Sequence, residues 1–367
     1  MSPQNSRRSF FASVLAIAFA LASTYTSFAA GVGLGAAIAA QNSVTHGLMS
    51  KPGILGTAVT VTPGGSPAVV IYVDQNSKQA AALVAALNKP VAGIPVQVEL
   101  TDQFRALVKP TVGKPGVSHT AAQTPPIKMG TSGGWRYDLA NGYCCGGTLG
   151  SLVQVNGVQY ILSNYHVFES DIVSGGNGLT AMNGQAVIHP GLIDVGCNQN
   201  NALDVGTLQV VQSLPSSNVD VGLAMAGTAV DPTGFILEIG TISSQTAAAF
   251  VGQGVKKSGR TTGLTRSSVA ALNATISVTY DNECAGGTAF TQTFTGQIVI
   301  SNRASKFLAG GDSGSLMVED VTTNPHAVGL LYAGSSTSAI ANPIDEVLAF
   351  IGPAIGGSGA VASMVGN

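Results

Sequence analysis

The chain has 367 residues, of which 9% are charged and 45% are hydrophobic, and its formal net charge is −2. So small a charge excludes nucleic-acid binding driven by a basic surface, because such binding depends on neutralising phosphates with lysine and arginine. The hydrophobic content excludes disorder of the charged, apolar-poor kind. The 47 glycines have no Gly-X-Y period and are about twice the usual share of roughly 7%. This composition predicts a mainly β protein rich in turns.

Residues 1–29 have the features of a cleavable export signal. Arg7 and Arg8 precede an apolar run over residues 10–22, and the small residues Ser27 and Ala29 follow at positions where a signal peptidase requires them. The apolar run is shorter than the roughly 18 residues that a membrane-spanning helix needs. The paired arginines also resemble a twin-arginine motif, and a general secretory signal is the alternative. We therefore expect an exported protein, periplasmic or extracellular, without stable membrane association.

The next segment, residues 30–109, predicts a small α/β unit. Strand patterns lie at 57–62, 68–73 and 96–100, and apolar residues spaced three and four apart predict a helix over 77–87. Three roles remain open for this unit: a pro-domain, an inhibitor of the chain's own site, or a lasting structural extension. Residues 110–130 are rich in proline and glycine, which is typical of a linker.

From residue 131 to 352 the pattern is one of short β runs separated by glycine turns. Asn156-Gly157 between two such runs predicts a tight hairpin. A single helix follows, with Asn342 as its cap and Gly352 as its end, and residues 353–367 are expected to be a flexible tail. The predicted strands, of which the first two form this hairpin, are 150–155, 158–162, 204–211, 222–226, 274–280, 293–301, 315–319 and 327–332. Closely spaced strands with one C-terminal helix predict barrels or a sandwich.

Four cysteines remain in the exported chain, Cys144, Cys145, Cys197 and Cys284. An even number in an oxidising compartment favours disulfides, and three full pairings are possible. Bonding between the adjacent Cys144 and Cys145 is disfavoured because it would strain the intervening peptide. No Cys-x-x-Cys or His-Glu-x-x-His pattern is present, so the sequence predicts neither a metal site nor any other cofactor.

Three segments carry the chemistry. Glycines at 310, 311 and 314 flank Ser313, and such glycines allow a tight backbone that exposes a hydroxyl and aims successive amides into one pocket. His166 follows an apolar strand, and Asp220 precedes another. The order His, Asp, Ser is that of the chymotrypsin arrangement. Asp204, in a loop rich in Cys and Asn, is the rival for the acid. The residues that flank Asp220 resemble the acid-bearing strand of chymotrypsin-like enzymes, and this resemblance favours Asp220.

The Gly311–Gly314 motif and the Asn164–Val167 context resemble the trypsin/chymotrypsin-like serine peptidases. Three further stretches, at residues 145–150, 257–265 and 327–334, resemble an exported bacterial branch of that group. The resemblance covers roughly residues 140–352 and does not include the N-terminal α/β unit. It implies a mainly β, chymotrypsin-like double barrel with a C-terminal helix, His166 and Asp220 in the first barrel and Ser313 in the second.

The sequence thus predicts a secreted serine endopeptidase that acts on polypeptides. His166, Asp220 and Ser313 are the expected catalytic residues, with the backbone N–H groups of Gly311 and Ser313 as the oxyanion hole. The residue six before the nucleophile is Phe307, where trypsin-type enzymes place an acid, so specificity for basic side chains is not expected. Phe307 is instead expected to line an apolar substrate pocket, with residues Tyr332, Ala333 and Gly334 forming its extended-substrate edge. Two alternatives remain: an inactive binding module on the same scaffold, and a serine hydrolase acting on other acyl groups.

Overall fold

The structure of the chain is a computed structural model that describes residues 33–106, 117–140, 143–169, 181–280, 290–303 and 306–367. The expected signal segment lies outside the described residues. Within them there are four α-helices, listed here in chain order: α1 (Leu34–Met49), α2 (Ala80–Leu87), α3 (Tyr165–Phe168) and α4 (Ile344–Gly356). Among these described helices, none is long and apolar enough to cross a membrane.

Strands dominate the rest of the fold. The first ten are β1 (Ile54–Val61), β2 (Pro67–Asp74), β3 (Val96–Thr101), β4 (Phe104–Ala106), β5 (Thr131–Trp135), β6 (Leu139–Ala140), β7 (Tyr143–Cys144), β8 (Gly147–Leu149), β9 (Ser151–Val155) and β10 (Val158–Ser163). The other ten are β11 (Ala186–His189), β12 (Leu203–Gln209), β13 (Gly222–Ala226), β14 (Gly254–Gly259), β15 (Gly263–Tyr280), β16 (Phe290–Ser301), β17 (Leu316–Glu319), β18 (Ala327–Gly334), β19 (Ser338–Pro343) and β20 (Ala362–Met364). The prediction of a mainly β fold with a C-terminal helix is confirmed.

The strands form two barrel-like sheets. In the first, the order is β20-β9-β10-β13-β12-β11-β5-β8, and because β8 runs directly into β9 along the chain, the series curls round on itself. In the second, β14 pairs with β17 on one side and with β15 on the other, which closes a ring of β14, β17, β18, β19, β16 and β15. The hairpin of β9 and β10 turns at Asn156 and Gly157, both at positive φ, as the sequence predicts.

The N-terminal unit extends the second sheet. β1 pairs with β15, β2 pairs with β1, and β3 lies parallel to β2 after the crossover helix α2. The predicted strands and the predicted helix are therefore present. α1 was not predicted; it contacts β1 and β2, and its glycine-rich start obscured its pattern in the sequence.

The region expected to be a linker is packed where it is described. Residues 107–116 lie outside the described residues, whereas Ile127 and Met129 are fully buried and bridge to Val230 and Ile236. One disulfide joins Cys144 to Cys197, and Cys145 is also disulfide-bonded. The adjacent cysteines are therefore not bonded to each other, as expected, and Cys284 lies outside the described residues.

The C-terminus differs from the prediction of a helix that stops at Gly352 and a flexible tail. Helix α4 continues through Pro353 to Gly356, and residues 362–364 form β20, which pairs with β9. A Cβ on Gly352 would clash with the carbonyl oxygen of Ala360. This glycine is thus needed where the returning tail crosses the helix, and it does not end the helix.

Candidate active site

The first half of the site lies where two neighbouring strands begin and end. Strand β10 ends at Ser163 and leads into α3, which carries His166. Strand β13 begins at Gly222, just after Asp220, and Ser163 pairs with Gly222. Because these strands are antiparallel, the end of one and the beginning of the other lie side by side. His166 and Asp220, which are 54 residues apart in the sequence, are therefore neighbours in the structure.

Asp220 is fully buried and its carboxylate is saturated with hydrogen bonds. Oδ2 accepts from His166 Nδ1 at 2.6 Å and from the Tyr280 hydroxyl at 2.9 Å. Oδ1 accepts from the backbone N–H of Tyr165 at 2.8 Å. A buried charge is stable only when paired and hydrogen-bonded, and these three donors meet that need. The rival acid Asp204 is half-exposed on β12 and pairs with Arg136.

The backbone of Asp220 is also held from both barrels. Its N–H donates to Asn342 Oδ1 at 2.9 Å, and its carbonyl accepts from Asn164 Nδ2 at 2.7 Å. Asn342 was predicted as a helix cap, but it lies in β19. Its side-chain oxygen accepts this hydrogen bond from Asp220, and its side-chain nitrogen donates to Gln297. Two asparagines therefore fix the acid's position from its main chain.

His166 is presented in one orientation. Its side chain is 8% exposed, and Nε2 has no hydrogen-bond partner among the described residues. A carboxylate can only accept, so the Nδ1 facing Asp220 carries hydrogen, and Nε2 of the neutral ring keeps its lone pair. The imidazole therefore offers a base on the side away from Asp220.

The Ser313 loop depends on glycine at two positions. Gly311 and Gly314 both have φ of 89°, which L side chains rarely adopt. A Cβ on Gly311 would lie 2.6 Å from Thr261 Oγ1, and one on Gly314 would lie 2.5 Å from the Thr148 carbonyl oxygen. Both the backbone angles and the close approach exclude any other residue, as the glycine pattern indicates.

The carbonyl groups of this loop are bound on its inner side. Gly310 O accepts from Thr261 Oγ1 at 2.6 Å, and Asp312 O accepts from Ser315 N at 3.0 Å. The C=O and N–H of a trans peptide point in opposite directions. The N–H groups of Gly311 and Ser313 are therefore turned outward, which is the orientation an oxyanion hole requires.

Asp312, next to Ser313, is fully buried and anchors the loop. Its carboxylate accepts from Thr261 N and Thr262 N, at 2.9 and 3.0 Å, and from Ala309 N at 3.0 Å. The completely buried Lys257 Nζ lies 3.3 Å from it. The loop is thus held by an internal cation rather than by a chain terminus.

Strand β8 joins the two halves. Thr148 N donates to the Ser313 carbonyl at 2.9 Å, and Thr148 Oγ1 donates to the Gly311 carbonyl at 3.0 Å. A Cβ on Gly147 would meet both Val167, next to His166, and the Ser313 carbonyl. The Ser313 loop and the helix with His166 therefore pack against the same strand.

A second buried ion pair lies behind the loop. The Arg260 guanidinium binds both carboxylate oxygens of Asp194 at 2.7 and 2.5 Å, and Ser132 Oγ donates to the same carboxylate. The Arg260 side chain also lies against Gly311, since a Cβ there would be 3.0 Å from Nη1. This pair ties β14's end to the first barrel beside the proposed oxyanion hole.

Glu169 supports the segment that leads to Asp220. Its carboxylate accepts from the backbone N–H groups of Val211 and Gln212 at 3.0 and 2.9 Å. Burial raises the pKa of Glu169 to about 7, and the two hydrogen bonds oppose this rise only in part. This acid therefore titrates near neutral pH.

The residues predicted for substrate binding are all buried. Phe307 is packed in a core cluster with residues such as Met317 and Leu331, and its carbonyl accepts from Thr265 Oγ1. Tyr332 and Ala333 belong to another cluster and are fully buried. Phe307 therefore does not line an open pocket here, because the barrel interior encloses its ring.

The expected substrate edge is occupied by the chain itself. Strand β4 pairs antiparallel with β18, with Ala106 opposite Ala333 and Arg105 opposite Gly334. Its other side lies parallel to β15. Phe104 and Ala106 are buried and Arg105 is exposed. Segment 104–106 thus fills the position where an extended peptide was expected.

Several residues of this site were missed by the sequence reasoning. Tyr280 ends a predicted strand and carried no motif of its own. Lys257 and Thr261 lie in the stretch 257–265, which was noted only for its resemblance. Thr148 lies in the stretch 145–150, which was also noted only for its resemblance. Nothing in segment 104–106 marks it as a neighbour of β18.

Comparisons with known proteins add the following. Residues 215–342 match the family model of the Nal1 C-terminal domain, a description that names no activity. No curated protein matches the chain. The chain resembles solved structures of a glutamic-acid-specific serine protease (20% identity, TM-score 0.41, covering 65% of this chain and 100% of that one) and of protease A from Thermobifida fusca (18%, 0.40, 66% and 99%). It also resembles a chymotrypsin from Cellulomonas bogoriensis (20%, 0.36, 60% and 91%). At these identities the likeness concerns the fold and not the activity.

Proposed function

We propose that the chain is an exported serine endopeptidase in which Ser313 is the nucleophile, His166 the general base and Asp220 the residue that orients the imidazole. The observation that carries this proposal is the buried 2.6 Å hydrogen bond from His166 Nδ1 to Asp220 Oδ2. It fixes the tautomer and leaves Nε2 as the base. The substrate is a polypeptide, and no cofactor takes part.

The reaction begins when Ser313 Oγ attacks the carbonyl carbon of a peptide bond. His166 Nε2 takes the hydroxyl proton, and the imidazolium that forms is stabilised by the ionised Asp220. The outward N–H groups of Gly311 and Ser313 stabilise the negative oxygen of the tetrahedral intermediate. Preorganised donors are effective because the loop needs no rearrangement when charge develops.

The intermediate collapses when His166 gives its proton to the leaving amine, which leaves an acyl-enzyme on Ser313. Water then attacks the ester carbonyl while His166 again acts as base. The second tetrahedral intermediate uses the same two backbone N–H groups. It collapses as the ester bond to Ser313 Oγ breaks and His166 returns its proton to that oxygen, which frees the acid product and restores the enzyme. Peptide and water are consumed and two shorter peptides are released, so atoms and charge balance.

The N-terminal unit acts as a built-in inhibitor in this proposal. Extended peptides bind proteases and other β proteins by adding a strand to a free sheet edge. Strand β4 pairs with the edge at Ala333 and Gly334. A substrate must therefore displace β4 before it can bind there, and the unit over residues 30–109 serves as a pro-domain.

Labelling with a small fluorophosphonate tests the nucleophile. We expect wild type to be labelled on Ser313 and Ser313→Ala to be unlabelled, because the probe phosphonylates only an activated serine. Ser244→Ala, a half-buried serine outside the site, is the matched control and should label like wild type. His166→Ala should also abolish labelling.

Three outcomes would contradict the proposal. Undiminished labelling of Ser313→Ala would exclude this nucleophile. Absence of labelling in wild type and also in a variant with β4 displaced would favour the inactive binding module. Labelling without any peptide-bond cleavage would favour a hydrolase for other acyl groups.

The inhibitor role is tested by placing a charge on the buried side of β4. Ala106→Asp puts a carboxylate into a site that is 3% exposed, which should dislodge the strand and raise the hydrolysis rate. Leu100→Asp adds the same carboxylate at a position of β3 that is 42% exposed, so it should have little effect. Circular dichroism establishes that both variants fold. Equal rates for Ala106→Asp and wild type would contradict the inhibitor role.

A further inference from the structure

The hydroxyl of Tyr280 reaches the proposed triad from the opposite barrel. Tyr280 is the last residue of β15, an 18-residue strand of the second sheet. Its hydroxyl donates to Asp220 Oδ2 at 2.9 Å. The same oxygen accepts from His166 Nδ1 at 2.6 Å. One carboxylate oxygen is thus shared between the imidazole and the phenol.

The shared oxygen has no access to water. Asp220 is fully buried and Tyr280 is 3% exposed. In such surroundings a carboxylate needs each of its donors, and hydrogen bonds to a charged group are among the stronger ones. Burial and the neighbouring Asp220 raise the pKa of Tyr280 well above its ordinary value, so the phenol stays protonated and donates at neutral pH.

The ring of Tyr280 is also fixed against its neighbours. It meets the His166 ring edge to face, with centroids 5.9 Å apart and planes at 67°. On its other side it stacks on Phe290, with centroids 4.7 Å apart and planes at 12°. One aromatic residue therefore contacts both the imidazole and the carboxylate that orients it.

We propose that Tyr280 is a positioning residue of the triad, which holds Asp220 Oδ2 and tempers the charge that this oxygen presents to His166. The inference rests on the proposed function. Because His166 and Asp220 belong to the first barrel and Tyr280 to the second, the bond also ties the triad to the docking of the two barrels. Strand β15 pairs with β1 as well, so the N-terminal unit braces the strand that carries Tyr280.

Other ionisable groups surround this cluster, and none of them replaces the phenol. Glu169 on the first barrel and Tyr332 on β18 interact with Asp220 through charge alone. Tyr165 contributes its backbone N–H to Asp220 Oδ1. Glu346 on α4 acts on Tyr332. In the described part of the chain, the side chains that donate hydrogen bonds to the Asp220 carboxylate are those of His166 and Tyr280.

The test is an NMR titration of the His166 ring nitrogens in the full chain, with His166→Gln used to assign the signals. In Tyr280→Phe, Asp220 Oδ2 loses one donor and presents more negative charge to the imidazolium. We expect the pH midpoint of the His166 signals to rise by about 0.5 or more. Tyr160→Phe makes the same change in a tyrosine of β10, in the first barrel, and should leave the midpoint unchanged.

A second measurement covers the case in which Tyr280→Phe does not fold. Replacing Tyr280 by 3,5-difluorotyrosine keeps the ring and hydroxyl and makes the phenol a stronger donor, so the midpoint should fall. A midpoint that is unchanged in Tyr280→Phe, or unmoved by the difluorotyrosine, would overturn the inference. The readout needs no turnover, so it is independent of whether the chain cleaves peptides.

Discussion

The Ser313 loop and the part of β18 at Ala333 and Gly334 lie on the same barrel, yet their structures are determined in different ways. The loop around Ser313 is held by groups that surround it closely: Thr261 on Gly310, Lys257 on Asp312 and Thr148 on Ser313 itself. The edge at Ala333 and Gly334 is defined by β4, which lies more than 200 residues earlier in the chain.

This difference explains why a sequence motif identifies the Ser313 loop, whereas no motif shows what binds at the edge. A loop whose close packing requires glycine at two positions has a geometry that a short motif can specify. An edge strand has unpaired N–H and C=O groups, and whichever segment covers them decides what can bind. In the proposed enzyme, the chemistry depends on the Ser313 loop, whereas access of the substrate depends on a distant part of the chain.

The largest expected effect concerns the anchor of the loop. Lys257→Met leaves the Asp312 carboxylate buried without its cation, and such a change costs about 3–5 kcal/mol of unfolding free energy. Arg266→Met breaks an exposed pair with Asp320 and should cost less than about 1 kcal/mol. Denaturant unfolding measures both. Equally small losses would show that the loop does not depend on its internal cation.

The next effect is a pH dependence of the segment that leads to Asp220. Burial raises the pKa of Glu169 from 4.5 to about 7. The unfolded state therefore binds fewer protons than the folded state in this window, and the stability that Glu169 confers below pH 4.5 is lost as the pH rises through 7. Glu169→Gln removes this dependence, which amounts to roughly 3 kcal/mol.

Denaturant unfolding from about pH 4 to about pH 8 checks that slope. Relative to Glu169→Gln, wild type should lose stability steadily as the pH rises. Gln154→Ala, which alters an exposed, uncharged side chain of β9, should keep the wild-type slope. A constant difference between wild type and Glu169→Gln over this range would contradict the account.

A smaller effect is expected on the oxyanion hole. Thr261→Val removes the hydroxyl that holds the Gly310 carbonyl inward, so the N–H of Gly311 loses its fixed direction. We expect kcat to fall by about 10- to 100-fold with KM little changed, less than the loss of a donor itself. Thr261→Ser keeps the hydroxyl and should restore the rate. A change confined to KM would indicate a role in binding instead.

The smallest effect belongs to the substrate edge. Asp102 Oδ1 accepts from Ser336 N at 2.8 Å and so fastens the segment before β4 to the turn after β18. Asp102→Ala should weaken this contact by about 1 kcal/mol and raise hydrolysis roughly fivefold. Asp74→Ala alters an acid of the same N-terminal unit whose side chain makes only a local contact, so this variant should not raise hydrolysis. A slower Asp102→Ala enzyme would argue against displacement of β4.

The predictions from sequence succeeded where the determinants are local. Asn156-Gly157 specified a hairpin, and Gly311 and Gly314 marked a loop that only glycine can form. They failed where a residue serves a distant partner. Asn342 has the properties of a helix cap but its amide binds Asp220, and Gly352 resembles a helix stop but makes room for Ala360.

The substrate pocket was the hardest part to predict for the same reason. Phe307 is six residues before Ser313, and position alone placed it beside a substrate, yet its ring completes a core cluster. Strand β4 is only three residues long and has no pattern by which periodicity could assign it. Its place follows from the way the N-terminal unit extends the second sheet, which is a property of the whole fold.

The central claim is that Ser313 cleaves peptide bonds once β4 gives way. Mass spectrometry of an unfolded protein substrate incubated with Ala106→Asp, and with the double variant Ala106→Asp/Ser313→Ala, tests it most directly. The account predicts new peptide fragments with the first variant and none with the second. Equal fragmentation by both, or none by either in folded protein, would contradict it.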